Sequence, residues 1–276
     1  MPTTIRRLPY MAYEDQQQIT RLCVRCGLLL MQYGAESTVV VDLCKRLGAT
    51  LGVASVECSL AFNGITITTI YNNRCITTLR ASTTHVINVN MIIQIQRIVL
   101  DLERMPTANG LIDGVSPLEH AIQRFDNLDK RTYPFWLVAM MVGLSCACFA
   151  HLAGGDLVVV AMTYLSAMVG QLVRYFLTKH HFNPFVVAGT TAFCASILSS
   201  MALLAHLGND PHIAIASSVL LLVPSFPLIN SLSDMLKGYM NIGIGRFMFV
   251  VILTLSSGVG ISLALILLQI HEWGIA

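Results

Sequence analysis

The chain has 276 residues, 55% of them hydrophobic and only 12% charged, where an ordinary soluble domain carries about 25% charged residues. That composition excludes a disordered chain, a coiled coil and an ordinary cytosolic enzyme, and a net charge of +2 is too small to point to a nucleic-acid partner. The charge is also uneven. Residues 1–134 hold 13 Lys/Arg and 11 Asp/Glu, while residues 135–276 hold four of each, and the composition changes near Tyr133-Pro134. Residues 1–132 therefore read as a water-facing domain with its linker, and residues 133–276 as a membrane domain.

Residues 1–18 contain Arg6 and Arg7 but no apolar stretch of a secretory signal, so the first part is expected in the cytoplasm. Glu14–Tyr33 repeats apolar residues at helical spacing, with Gln16, Arg21, Arg25 and Gln32 on the rest of the wheel and Gly34 as C-cap. A second helix is predicted from Glu36 to Leu47, stopped by Gly48. Strands follow at Ser55–Phe62, Ile65–Tyr71 and Cys75–Arg80, with tight turns at Asn63-Gly64 and Asn72-Asn73. Asn90–Arg104 returns to helix, Thr107–Val115 reads as a linker, and Ser116 with Pro117 starts a short helix to Leu128. The first domain is thus α+β. Its Cys23-Val-Arg-Cys26 pair lies on an apolar helix face with no second pair nearby, so packing is the better reading than a metal or redox centre.

Five charge-poor apolar runs follow, near 135–153, 157–173, 185–207, 213–233 and 247–270, each near the length that crosses a bilayer. Lys130, Arg131, Arg174, Lys179, Lys237 and Arg246 all fall in connections on one side, and Asp156, Asp210 and Glu272 on the other. The positive-inside rule then places the N-terminus in the cytoplasm and the C-terminus in the periplasm. Small residues spaced by four, Gly143/Ala147, Ala192/Ser196/Ser200 and Gly258/Ser262, suit close helix packing in lipid.

The segment from Val223 to Gly238 is the most informative. Pro224 and Pro227 lie inside the fourth run, where each should break the helix and free carbonyls near Leu220 and Val223. Asn230, Asp234 and Lys237 then follow at i, i+4 and i+7 on one helix face, and Arg246 is the next cation. Broken helices with converging polar groups are how secondary carriers build binding sites. The alternative is a kinked structural helix with its charges in headgroup water. Lys237 and Arg246 would attract an anionic or zwitterionic substrate, Asn230 would donate hydrogen bonds, and Asp234 would pair with Lys237 or take a proton. In the first domain, Glu36 stands at a helix start, favoured there by the dipole, with Arg80 a plausible partner. No nucleotide-binding or hydrolase motif is present; no cofactor or metal is expected, nor an enzyme.

Several stretches resemble the threonine/serine exporter (ThrE) family, in the form where its two halves are separate chains. They are Arg21–Leu28, Gly34-Ala-Glu-Ser37, Thr78-Leu-Arg80, Leu137–Phe149 and Ser218–Pro224, running on to Phe226–Asn230, Asp234, Gly238 and Arg246. Ser225 stands where glycine is expected after the first proline. The resemblance implies an exporter subunit of the bacterial inner membrane that moves a dicarboxylate such as succinate, or threonine and serine as in fused members. It also implies a smaller, YjjB-like membrane partner subunit. Taken together, the sequence predicts an α-helical polytopic membrane protein of five transmembrane helices with an N-terminal cytoplasmic α+β domain. Pro224, Pro227, Asn230, Asp234, Lys237 and Arg246 are the substrate-binding or gating residues, and Glu36 and Arg80 the cytoplasmic ones. A membrane-anchored cytoplasmic sensor or hydrolase is the competing class, for which a broken polar span would be superfluous.

Overall fold

The computed structural model describes residues 11–82, 86–105, 116–205 and 208–270. The expected linker at 107–115, Arg6, Arg7 and Glu272 lie outside these residues. The chain packs as two compact units, Met1–Lys130 with Pro227–Phe247, and Arg131–Phe226 with Met248–Ala276. The compositional boundary near Tyr133-Pro134 is thus one of several places where the chain passes from one unit to the other.

The first unit is α+β. Helices α1 (Tyr13–Gln32), α2 (Ser37–Thr50), α3 (Val89–Arg104) and α4 (Pro117–Asp126) accompany a meander of β1 (Ser55–Ala61), β2 (Gly64–Tyr71) and β3 (Arg74–Ala81), antiparallel in the order β1-β2-β3. Asn72 and Asn73 both take positive φ, 45° and 60°, which is what a two-residue hairpin with the right twist demands. The other turn falls one residue earlier than predicted, at Phe62-Asn63, because Gly64 already pairs with Ala61. Helix α4 starts as its sequence requires, with the Ser116 hydroxyl accepting from the Glu119 N–H at 3.2 Å and Pro117 in the first position. Helix α2 runs past Gly48 to Thr50, since Gly48 is buried beneath Val53 and Val56 rather than ending the helix.

The core of this unit joins Leu22, Cys26 and Leu30 of α1 to Val40, Leu43 and Leu47 of α2, Ile65 and Ile67 of β2, Ile95 and Val99 of α3, and Phe125 of α4. Each such large side chain contributes about 1.5–3 kcal/mol by burial. Cys23 and Cys26 are fully buried core residues, as the apolar helix face predicts, and burial pushes the Cys23 thiol up to about 12. Gln16 corrects the helical wheel. It is buried, its amide donates to the Thr69 carbonyl at 3.1 Å, and Arg74 Nε donates to its Oε1 at 2.6 Å. A buried amide is tolerated when its hydrogen bonds are made, and these tie α1 to the second hairpin.

The second unit holds α5 (Phe135–Leu152), α6 (Leu157–Lys179), α7 (Pro184–Leu204), the short α8 (His212–Ser218) and a 3-10 turn at Leu220–Leu222. After the break comes α9 (Ser225–Leu236), and α10 (Met240–Leu267) returns most of its length to the second unit. Four helices, α5, α6, α7 and α10, are long and apolar enough to cross a membrane, and a fifth span results if the α8 and α9 segments count as one. Their outward faces carry Leu144, Phe149, Leu157, Ile252, Leu255, Leu263 and Ile266, all at least 46% exposed; so much contiguous apolar surface belongs in lipid. Asp156 and Asn183 cap α6 and α7, accepting from the Val159 and Phe185 N–H groups at 3.1 and 2.9 Å. Helix α6 continues to Lys179, so Arg174 lies within it rather than at its end.

The small-residue pairs Gly143/Ala147 and Ala192/Ser196/Ser200 are buried as expected, but Gly258 and Ser262 face outward. The packing face of α10 carries Val250, Ser257, Gly260 and Ala264 instead, and Gly260 lies so close to the Gly189 carbonyl that no side chain fits there.

Candidate functional site: a clamp on the α1–α2 loop

The site begins with a helix end. Helix α1 stops at Tyr33, and Gly34 takes a φ of 89°, which an L side chain rarely adopts. Gly34 N then donates to the Met31 carbonyl and Ala35 N to the Leu30 carbonyl at 2.8 Å, the paired closure of a Schellman motif. This geometry turns the Gly34 and Ala35 carbonyls and the first N–H of α2 to the same side. All three are satisfied by the later segment of the chain that packs in this unit. Asn230 Nδ2 donates to the Gly34 carbonyl at 2.8 Å, Arg246 Nη2 to the Ala35 carbonyl at 2.9 Å, and Ser37 N to Asp234 Oδ1 at 2.9 Å.

Asp234 is the centre of the arrangement. It is completely buried, and its Oδ2 accepts from Arg246 Nη1 at 2.6 Å. Its other oxygen caps α2 from outside that helix, where the positive end of the helix dipole favours a carboxylate. An ion pair this deep needs further hydrogen bonds on both partners, and the Ser37 N–H and the Ala35 carbonyl supply them. At the rim, Glu36 accepts from the Ser233 hydroxyl at 2.6 Å and from Lys237 Nζ. The Lys237 hydrogen bond, then that of Ser233, holds the Glu36 carboxyl below the usual carboxylate range, and Arg246 adds to the effect. Four charges thus form one neutral cluster, Glu36 with Lys237 outside and Asp234 with Arg246 inside.

Asn230 and Asp234 on α9, with Lys237 just past its end, do reach the same side, the α1–α2 loop, and Ser233 joins them. Their partners differ from those expected. Asp234 pairs with Arg246, not Lys237, because its carboxylate is buried while Lys237 sits at the half-exposed rim within reach of Glu36. Arg80 stands exposed on β3 opposite Ile65, and Glu36 binds Ser233 and Lys237 instead. Pro224 marks the break as expected. Pro227 is the third residue of α9, in the first turn, where a missing N–H costs no helical bond. The carbonyls at the break are not left bare. Val223 N donates to Leu220, Ser225 N to Val223, and Arg174 reaches Leu221 at 3.4 Å. The tight 3-10 turn absorbs what an α-helix would have released. Ser233 and Ser37 escaped the sequence reading, since neither hydroxyl nor backbone N–H advertises a distant partner. Among the described residues, no group of three or more His, Cys, Asp or Glu side chains is disposed to hold a metal.

The ThrE family model, described as "Putative threonine/serine exporter", matches residues 21–268. The chain belongs to the ThrE family. The "Probable succinate transporter subunit YjjP" of Escherichia coli (strain K12) is 42% identical over 240 residues, which are 86% of this chain and 90% of that protein. The protein of the same name from Klebsiella aerogenes is 39% identical over 234 residues, 84% of this chain and 87% of its own. An uncharacterized Haemophilus influenzae protein is 46% identical over 153 residues, 55% of this chain and 48% of its own length. No solved structure matches the chain. With its apolar helices, this ThrE-family chain is a multi-pass membrane protein of an exporter family, and the matched interval contains both sides of the clamp.

Proposed function

We propose that the chain is one subunit of a secondary exporter in the bacterial inner membrane, moving a dicarboxylate such as succinate outward together with a smaller, YjjB-like membrane subunit. The relatives' printed names support the substrate class and the word subunit supports a partner. In this reading the chain makes five spans, with its N-terminus and residues 1–132 in the cytoplasm and its C-terminus in the periplasm. It acts as a carrier and not as an enzyme.

The observation that carries the gating half of the reading is the buried Asp234–Arg246 pair, which holds the α1–α2 loop. A carrier needs two arrangements of the same elements. A neutral cluster of two ion pairs can exist closed or parted, and a carboxylate substrate competes for the same two cations. Asn230, Asp234, Lys237, Arg246 and Glu36 are then gating residues, with Pro224 the flexible point that precedes α9 in the chain.

The test is export of labelled succinate, with threonine and serine as competitors, from cells carrying this chain, its partner or both. Export only with both, inhibited by dicarboxylates, supports the reading. Export of threonine or serine but not succinate replaces the substrate, and wild-type rates in Asp234→Asn and Arg246→Lys remove the gate.

A further inference from the structure

Hydroxyl side chains in apolar helices often bond back to their own turn, and several here do so. Thr163 donates to Val159 at 2.8 Å, Thr190 to Val186 at 2.7 Å, Ser199 to Ala195 at 2.9 Å and Thr254 to Val250 at 2.9 Å. Ser166 of α6 and Thr191 of α7 do not. Both are buried, at 1% and 0% exposure, and neither hydroxyl has a partner among the described residues.

Their place in the fold relates them to a cation. Ser166, Gly170 and Arg174 follow at four-residue intervals on one face of α6. A side chain at Gly170 would meet Ala195, Leu221 and Thr191 at 3.2, 3.5 and 3.7 Å, so Thr191 lies beside this face and the broken helix lies against it. The guanidinium of Arg174, one turn on, has five donors. Among the described residues its one hydrogen bond is the long contact to the Leu221 carbonyl, and no carboxylate pairs with it. An under-committed guanidinium and two unclaimed buried hydroxyls therefore lie on or beside the face of α6 that meets the discontinuous helix.

We propose that Arg174, Thr191 and Ser166 form a carboxylate-binding site against the break at Leu220–Pro224, which takes up the dicarboxylate substrate. The assignment rests on the exporter reading above and adds a site built from residues other than those of the clamp. A guanidinium holds a carboxylate through paired N–H donors, and hydroxyls donate to whichever oxygens remain. Gly170, beside which Thr191 lies, is one turn, ~5.4 Å, from Arg174 along α6, which suits a short ligand with an acceptor at each end.

Thr191→Val is the decisive variant, because it keeps the shape and deletes only a hydroxyl without a partner among the described residues. A merely structural threonine predicts no change in export. The site predicts a rise of about 10- to 100-fold in KM for succinate, the worth of one hydrogen bond to a charged group, with the melting temperature unchanged and Thr191→Ser restoring the KM. Arg174→Lys should raise KM similarly, and Arg174→Ala should lower export more than about 10-fold. Wild-type KM in both Thr191→Val and Arg174→Lys, in complexes that export succinate normally, overturns the site and leaves the exporter reading standing. A wild-type complex that exports no dicarboxylate overturns both.

Discussion

The clamp on the α1–α2 loop and the interior of the α6–α7 pair are both buried and both polar, yet they treat their polar groups in opposite ways. In the clamp, the two carbonyls, the first N–H of α2 and both ion pairs are matched at 2.9 Å or less. Around α6 and α7, the hydroxyls of Ser166, Thr191, Ser196 and Ser200 are buried without partners among the described residues. An unmade buried hydrogen bond costs about 1–3 kcal/mol, so the first region is held by its polar groups and the second is held in spite of them. The contrast separates a device that fastens the chain to itself from a surface that has bonds to offer a guest.

The largest effect should come from the clamp. Arg246→Ala strands the Asp234 carboxylate in a dry site, and such truncation costs about 3–5 kcal/mol; thermal melting of the purified protein checks it. A loss under ~1 kcal/mol would mean that the pair is open most of the time. Asp234→Asn keeps a hydrogen-bond acceptor for Ser37 and should cost less.

The rim follows. Glu36 has its carboxyl pKa lowered by Lys237 and Ser233. Its stabilisation is therefore complete above the usual carboxylate range and is lost as pH falls through the lowered folded value. The difference in melting between wild type and Glu36→Gln should shrink from neutral pH to below about pH 4. Because Lys237 is 47% exposed, that difference should not exceed ~1 kcal/mol. A difference independent of pH would remove the charge from the explanation.

Pro227→Ala should change stability by less than ~0.5 kcal/mol and leave export intact, since the ring sits where no helical N–H is needed. Smallest of all, Ser200→Ala deletes a hydroxyl with no partner and should be neutral or slightly stabilising. A clear loss on melting would show that this hydroxyl is bonded after all, and would blur the contrast between the two regions.

Much of this was legible before any coordinates. Alternation and turn residues located all three strands, and Ser116-Pro117 announced α4. The side shared by Asn230, Asp234 and Lys237 followed from spacing alone, because periodicity is a local property. The partners were not local. Nothing in the spacing of α9 says that its carboxylate will cap α2, whose first residue is 197 positions away. Nor does the wheel of α1 reveal that Gln16 has Thr69 and Arg74 waiting for it. Pro227 was misjudged for a simpler reason: a proline breaks a helix or begins one according to where the helix starts, and the start depended on the 3-10 turn before it.

The distance along the chain between the two sides of the clamp has a consequence for how the protein is made. Ala35 meets its arginine 211 residues later, and Ile242 completes the same hydrophobic core that α1 and α2 begin. As the chain leaves the ribosome from its N-terminal end, α1, α2 and the sheet emerge with that core unfilled and with the start of α2 uncapped. Every apolar helix up to the break is synthesised before the missing residues arrive. Contacts of such long range are slow to form, so maturation of the α+β unit waits on the last fifth of the chain, and a nascent protein stalled near Pro224 exposes the edge of a core that has nothing yet to close it.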